Sequence, residues 1–243
     1  MRNIQQENNN MTSSSLVSGR SRVTVVPEAG RIVVQPARRL DCRGPGLSRT
    51  DRYRRASSRE TGFSRARTRM TDFAVINHLD SFIDLTYAHA PESASQADHQ
   101  MSLFLKRFRR RCPHEPWVTV LHRGDRNGRL HHHLLLPSRV TRPTIVQLWE
   151  HGFVRRGLRP TADDIRASAF YMARGFDAPE DERTTSRRYR ISKVGQRPKV
   201  TIYNIATTDV DEFTTRLAGG KPIRRWFGTE DQPWLDWVGY FEP

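Results

Sequence analysis

The stretch "GRLHHHLLLP" (Gly128–Pro137) sets three consecutive histidines directly before three leucines. Side chains alternate between the two faces of a β-strand, so His131 and His133 share one face while His132 lies on the other. The longer segment "PWVTVLHRGDRNGRLHHHLLLP" predicts a β-hairpin, because two β-rich runs flank a turn rich in Gly, Asp and Asn. The arrangement of this hairpin decides what the histidines do.

The register of the hairpin decides where a further histidine, His122, points. With residues 124–127 as the loop, Val120 lies opposite His131, and His122, His131 and His133 project from one face. A loop one residue longer would turn His122 to the other face. Three converging imidazoles can bind a divalent ion and leave positions open for water or a phosphate oxygen. The alternative is that these histidines are polar side chains facing solvent.

The segment "SAFYMARGF" places Tyr171 and Arg174 three residues apart on a predicted helix, hence on one helical face. A tyrosine can attack phosphorus, and a cation one turn away can stabilise the charge that develops. The alternative is that Tyr171 packs in the core beside Phe170 and Met172 while Arg174 is solvated. Aromatic residues at helical spacing usually belong to a core, so the residues alone favour this alternative.

Positive charge is concentrated at the start of the chain. The 243 residues carry a formal net charge of +15, and residues 1–70, with fifteen arginines and five acidic residues, account for +10 of it. Such an excess favours a nucleic-acid partner, although basic segments also serve solubility or targeting. Residues 1–71 are predicted to be a largely disordered, Arg-rich arm, with a possible hairpin around residues 28–30.

Residues 72–243 are predicted to form one domain of class α+β, an antiparallel sheet with flanking helices. "SFIDLTYA" has strand character, and "PTIVQLWEHG" predicts a short helix ending at Gly152. "ASQADHQMSLFLKRFRRRC" (residues 94–112) predicts an amphipathic helix with an apolar stripe. The rest of that helix offers basic residues for contact with DNA phosphates, namely Lys106, Arg107, Arg109, Arg110 and Arg111.

Several protein classes are disfavoured by the sequence. Cys42 and Cys112 form no CxxC pair, which argues against a disulfide framework or a zinc knuckle and favours two reduced thiols in a cytosolic protein. No run reaches the roughly 18 apolar residues of a membrane span. The first residues lack the apolar core of a secretory signal. A cytoplasmic protein that does not bind membranes is therefore expected.

Three segments together resemble the motifs of the HUH endonucleases. "FIDLTYA", "GRLHHHLLL" and "AFYMARGF" occur in the family's order, and they are most similar to the single-tyrosine rolling-circle replication initiators of bacterial plasmids and small single-stranded DNA phages. In that family a hydrophobic strand ends in Leu-Thr, here Leu85 and Thr86. A second strand carries His-hydrophobe-His, here His131 and His133, and a helix carries the nucleophilic tyrosine, here Tyr171. The resemblance covers residues 80–200 approximately.

The resemblance implies a metal-dependent enzyme that nicks and rejoins single-stranded DNA at a specific site. Tyr171 would become linked to the 5′ phosphate, with Arg174 assisting, and the free 3′ hydroxyl would prime rolling-circle replication of a plasmid or phage. His122, His131 and His133 would hold Mn²⁺ or Mg²⁺. The implied partners are the single-stranded replication origin and, in a bacterial cell, a host helicase and polymerase, because the sequence has no P-loop of its own.

The sequence departs from the family pattern at four positions. His132 stands where a large hydrophobic residue is usual, so it should face away from the metal. Arg174 replaces lysine, and His122 replaces a glutamate ligand, which should weaken Mg²⁺ relative to Mn²⁺. Asp84 stands in a place that is often Thr. It shares a face with Thr86, and it is a candidate either to reach the metal or to orient a histidine.

Two other functions fit the same residues. A relaxase for plasmid mobilisation or a transposase would use the same chemistry. A protein of a different class, which binds DNA through its basic arm without catalysis, would need neither the histidines nor Tyr171.

Overall fold

The chain folds into two antiparallel sheets flanked by five helices, which confirms the α+β class. The computed structural model describes residues 20–36, 51–124, 128–174, 189–227 and 237–243. The helices are α1 (Asp51–Ile76), α2 (Ala94–Arg111), α3 (Arg142–Leu148), α4 (Ala162–Met172) and α5 (Val210–Leu217). The strands are β1 (Arg20–Val26), β2 (Arg31–Pro36), β3 (Ser81–Thr86), β4 (Val118–Arg123), β5 (Leu130–Leu136), β6 (Val154–Leu158), β7 (Arg190–Ile191), β8 (Thr201–Ala206), β9 (Arg224–Phe227) and β10 (Trp237–Tyr240).

The central sheet has the order β6-β3-β5-β4-β7, with the histidine-rich strand β5 in the middle. A strand covered on both faces needs apolar side chains on both, which explains three leucines in a row. Leu134 and Leu136 pack into one hydrophobic cluster and Leu135 into another. All three are completely buried. The leucines therefore fix β5 in the sheet and set which way each histidine points.

The two faces of the central sheet are covered by different helices. Helices α2 and α3 pack on one face, where Phe104, Phe108 and Ile145 meet Ile83 and Leu85. Helices α1 and α4 pack on the other, over one end of the strands, where their apolar residues cover Phe82, Val118, Val120 and Leu135. Helix α4 begins as predicted at Thr161, which forms a capping box with Asp164.

The second sheet joins the two ends of the described chain in the order β8-β1-β2-β10-β9. It is tied to α1 by a buried ion pair between Arg31 and Asp72, with Arg31 Nη2 2.8 Å from Asp72 Oδ2. It is tied to α4 by Arg166, which donates to the carbonyl oxygens of Ala29 and Phe241. The nucleophile-bearing helix predicted from sequence thus rests on both sheets.

The prediction of disorder over residues 1–71 is wrong for much of that range. The hairpin expected around residues 28–30 is present as β1 and β2, and Gly30 adopts the left-handed conformation (φ 56°) that its tight turn requires. Residues 51–71 belong to α1, and Met70 and Thr71 are buried. The error arose because this helix owes its stability to tertiary packing of a short apolar end. Residues 1–19 and 37–50 lie outside the described residues.

Two local predictions also need correction. Residues 124–129 connect β4 and β5, so the connection is two residues longer than predicted and Arg123 pairs with Leu130. Because the shift is even, every side chain stays on its predicted face. Helix α3 ends at Leu148 rather than at Gly152, which instead approaches the backbone of Thr86 and Ala88 closely.

The helix predicted over residues 94–112 is present as α2, with Met101, Phe104, Leu105 and Phe108 buried along one stripe. Over the described part of the chain, no helix combines the length and the apolar character that crossing a membrane demands.

Candidate metal and nucleophile site

Strand pairing brings the three predicted metal ligands together. His122 on β4 lies directly opposite His131 on β5, whereas Val120 rather than Val118 lies opposite His133. The register therefore differs from the predicted one by two residues, but the predicted common face is confirmed. The cluster lies beyond the rows of side chains that α1 and α4 cover.

The three imidazoles form a compact group that could hold a metal ion. One ligand atom from each of His122, His131 and His133 lies within 4.8 Å of the other two. The His131 and His133 rings are 4.6 Å apart between centroids, and the His122 ring is 5.1 Å from each of them. His133 is buried, while the other two are partly exposed. The group therefore opens toward solvent on one side.

Neighbouring acceptors select the ring nitrogens that face the centre of the cluster. His133 Nδ1 donates to Asp84 Oδ1 at 2.7 Å, and His131 Nδ1 donates to the carbonyl oxygen of Arg129 at 3.2 Å. Each Nε2 then carries a lone pair, and the two Nε2 atoms lie 3.2 Å apart. Two lone pairs this close repel each other unless a cation lies between them.

This spacing fits a divalent ion. Two imidazole nitrogens bound at about 2.1 Å to one tetrahedral or octahedral ion lie roughly 3.0–3.4 Å apart. The Asp84 carboxylate supplies the outer partner that ligating histidines usually have. The chemistry of the donor set therefore suits a metal that accepts imidazole ligands.

The two residues singled out on β3 have different roles. Asp84 lies opposite His133 and accepts its hydrogen bond, so of the two predicted possibilities the structure shows the orienting one. Thr86 lies opposite His131, but its hydroxyl donates to the carbonyl oxygen of Phe153 at 3.3 Å. Thr86 thus joins β3 to the residue that precedes β6.

Tyr171 lies beside the histidines rather than in the core. Its ring is 5.3 Å from that of His133 and 6.2 Å from that of His122, between centroids. The residue is 42% exposed, whereas Met172 is fully buried and Phe170 half-buried. The alternative of a core tyrosine is therefore wrong. The last turn of α4 buries Met172 and turns Tyr171 toward the cluster.

Arg174 lies in the turn that follows α4, and its guanidinium carbon is 5.4 Å from the centroid of the Tyr171 ring. A second aromatic residue near Tyr171 escaped the sequence analysis. Phe82 packs edge-on against Tyr171 at 6.1 Å, and Arg159 lies over its other side, 5.4 Å from the centroid. The signal was available, because Phe82 is two residues before Asp84 on β3 and so shares its face.

His132 faces away from the cluster, as predicted. It is 1% exposed, and its Nε2 lies 2.9 Å from the hydroxyl of Tyr87 and 3.3 Å from the carbonyl oxygen of Ala97. Burial lowers the pKa of His132 to about 3, so the ring is neutral at neutral pH. Burial also raises the pKa of Tyr87. His132 is thus a hydrogen-bonded core residue beneath α2.

The predicted basic surface of α2 lies on the opposite side of the central sheet from the histidines. Lys106, Arg109, Arg110 and Arg111 are exposed there. Arg107 is engaged within the protein, since it donates to the carbonyl oxygen of Leu148 and pairs with Glu150 at 3.1 Å. Binding of DNA by this helix stays a prediction, and it would be separate from the candidate site.

One family model matches the part of the chain that carries the site. Residues 80–176 match the model of the replication-associated protein ORF2 family. The matched segment contains the three histidines, Asp84, Tyr171 and Arg174. A comparison with curated proteins finds no match to the chain. The family match supports the expected replication initiator, while the single-tyrosine chemistry stays a prediction.

Proposed function

We propose that this protein nicks and rejoins single-stranded DNA at a specific site and thereby initiates rolling-circle replication. The observation that carries the proposal is the exposed Tyr171 hydroxyphenyl ring beside three convergent imidazoles. Both lie within the segment similar to replication-associated proteins. That similarity favours replication over the mobilisation or transposition alternatives.

His122, His131 and His133 are the residues that would hold a divalent metal, with Asp84 orienting His133. When bound, such a metal polarises the phosphate to be attacked. All three ligands are nitrogens, so we propose Mn²⁺ as the preferred ion and Mg²⁺ as a weaker one.

Tyr171 is the proposed nucleophile. A bond forms between its phenolic oxygen and the scissile phosphorus, while the bond from phosphorus to the 3′ oxygen breaks. The phenolic proton is lost and the departing 3′ oxygen gains one. The product is a 5′-phosphotyrosine and a free 3′ hydroxyl, which can prime synthesis by a host polymerase or attack the ester to reseal the strand. The energy of the phosphodiester is retained in the ester, so no ATP is consumed.

Arg174 supplies positive charge next to the attacking group. Its guanidinium lies over the Tyr171 ring, where it can stabilise developing phenolate or phosphate charge. Unlike a lysine at this position it stays protonated, so it acts as an electrostatic partner and does not take the phenolic proton. Unwinding of the duplex origin is assigned to a host helicase.

The test is to incubate the full chain with labelled single-stranded circular DNA and Mn²⁺ and to look for a protein–DNA adduct that survives denaturation. The adduct should form with the wild type, disappear in Tyr171→Phe and persist in the matched variant Tyr203→Phe, a half-buried tyrosine on β8. An adduct that persists in Tyr171→Phe would reject the nucleophile. Salt-sensitive DNA binding without any adduct would instead support the non-catalytic DNA-binding protein.

A further inference from the structure

The edge of the central sheet beside the candidate site carries two exposed side chains that the proposed chemistry does not use. β6 is an edge strand and pairs with β3. Phe153, just before β6, is 73% exposed, and Arg155 is exposed as well. An isolated exposed phenylalanine needs no explanation, but this one has a defined place relative to the histidines.

The register aligns both side chains with the site. Phe153 and Thr86 exchange backbone hydrogen bonds of 3.0 and 3.1 Å, and Thr86 lies opposite His131. Arg155 lies opposite Asp84, which lies opposite His133. Directly paired residues share a face, so Phe153 and Arg155 face the same side as the ligands. With strands about 4.8 Å apart, each lies roughly 10 Å from its histidine.

The chemistry of this edge matches that of an unpaired DNA strand. An exposed aromatic ring can stack on a base, and an exposed guanidinium can pair with a backbone phosphate. Positive charge continues along the same face, because Arg159 lies over Phe82 and Arg174 over Tyr171. A strand that lies across the sheet from β6 to the histidines would meet these groups in succession.

We infer that Phe153 and Arg155 bind the DNA strand beside the scissile phosphate, with Phe153 stacking on an unpaired base and Arg155 pairing with a phosphate. The inference rests on the proposed function, since it extends the same substrate across the sheet. It also gives the site a means to select single-stranded DNA, because bases within a duplex offer no free face for stacking.

The test measures binding of a fluorescent single-stranded oligonucleotide by the full chain carrying Tyr171→Phe, which prevents covalent trapping. Adding Phe153→Ala should weaken binding about ten-fold or more, and Phe153→Trp should restore it. The matched control is Leu158→Ala, because Leu158 is 61% exposed on the same strand but lies on the opposite face. This control should bind like its parent, and Phe153→Ala should leave binding to blunt duplex DNA unchanged.

Arg155 is tested through the salt dependence of the same binding. Arg155→Ala should reduce the slope of log affinity against log salt concentration by about one, and Arg155→Lys should keep it. Phe153 would then contribute stacking that salt affects little, while Arg155 contributes the electrostatic part.

Three results would overturn the inference. They are single-stranded binding unaffected by Phe153→Ala, as expected if Phe153 docks a protein instead; an equal loss in Leu158→Ala; and no single-stranded binding by the parent. Adduct formation by the otherwise wild-type chain is measured in parallel. Normal binding by Phe153→Ala together with a Tyr171-dependent adduct rejects this inference alone, whereas absence of any adduct rejects the proposed function.

Discussion

His132 and its two neighbours on β5 are the same residue type in three consecutive positions, yet they occupy opposite environments. His132 is 1% exposed beneath α2, hydrogen-bonded to Tyr87, and kept neutral by a pKa of about 3. His131 and His133 point to the other face and converge with His122. The comparison teaches that the role of a histidine here depends on which helix covers its face of the sheet.

The two faces differ because their helices cover different lengths of the strands. Helix α2 and Trp149 close over His132, so its polar atoms had to find partners inside the protein. Helices α1 and α4 pack near Phe82 and Leu135 and stop short of the row that holds His131. The second face thus remains accessible where the imidazoles meet.

Removing a ligand from the open face should have the largest effect. His131→Ala and His133→Ala each remove one of three imidazoles, so the affinity for Mn²⁺ should fall by more than about 100-fold, beyond the loss typical of outer partners. Calorimetric titration with Mn²⁺ measures it, and His132→Leu is the matched control on the covered face. A loss of affinity in His132→Leu equal to that in His133→Ala would remove the distinction between the faces.

Changing the outer partner should have an intermediate effect. Asp84→Asn keeps the shape but loses the charge that orients His133 through Nδ1, so Mn²⁺ affinity should fall about 10- to 100-fold. Thr86→Ala serves as the control, since Thr86 shares the face but bonds to Phe153. The same titration applies, and equal affinities for Asp84→Asn and the wild type would show that Asp84 does not orient the ligand.

The covered face should reveal itself in the pH dependence of stability. The pKa of His132 is about 3 in the folded chain, against an ordinary value of 6.5. The unfolded chain therefore binds more protons between these pH values, and the free energy of unfolding falls as pH decreases from about 6.5 toward 3. The contribution is at most about 1.4 kcal/mol per pH unit.

His132→Leu should remove that slope. At pH 7 the variant should be about 1 kcal/mol less stable, because the hydrogen bond with Tyr87 is lost. Between pH 7 and pH 5 the deficit should shrink or reverse. Urea unfolding with EDTA, which removes any bound metal, measures both values. Parallel stability curves for the two proteins would contradict the assignment of His132 as a neutral core residue.

Much of the central sheet was predictable because its signals are local. Alternation along β5 separated His132 from its neighbours, and the apolar stripe of α2 matched the buried residues. Thr161 indicated the start of α4 through its capping box. In each case the periodicity of one element defined the faces without knowledge of its neighbours.

Other features depended on distant parts of the chain. The core position of Tyr171 was favoured by its apolar neighbours, but Met172 alone enters the core and Tyr171 is exposed. The structured nature of residues 20–36 was visible only as a marginal hairpin, because its strands are completed by β8 and β10 from the end of the chain. Propensity cannot report pairing over such separations.

By itself the sequence determined which side chains share a face, since a period of two is a property of the strand backbone and survives even a two-residue error in the loop. Only the tertiary structure decided which face would close. Packing of α2 and of α1 with α4 depends on contacts between residues far apart in sequence, and those contacts buried His132 and left three imidazoles and Tyr171 together at an open edge.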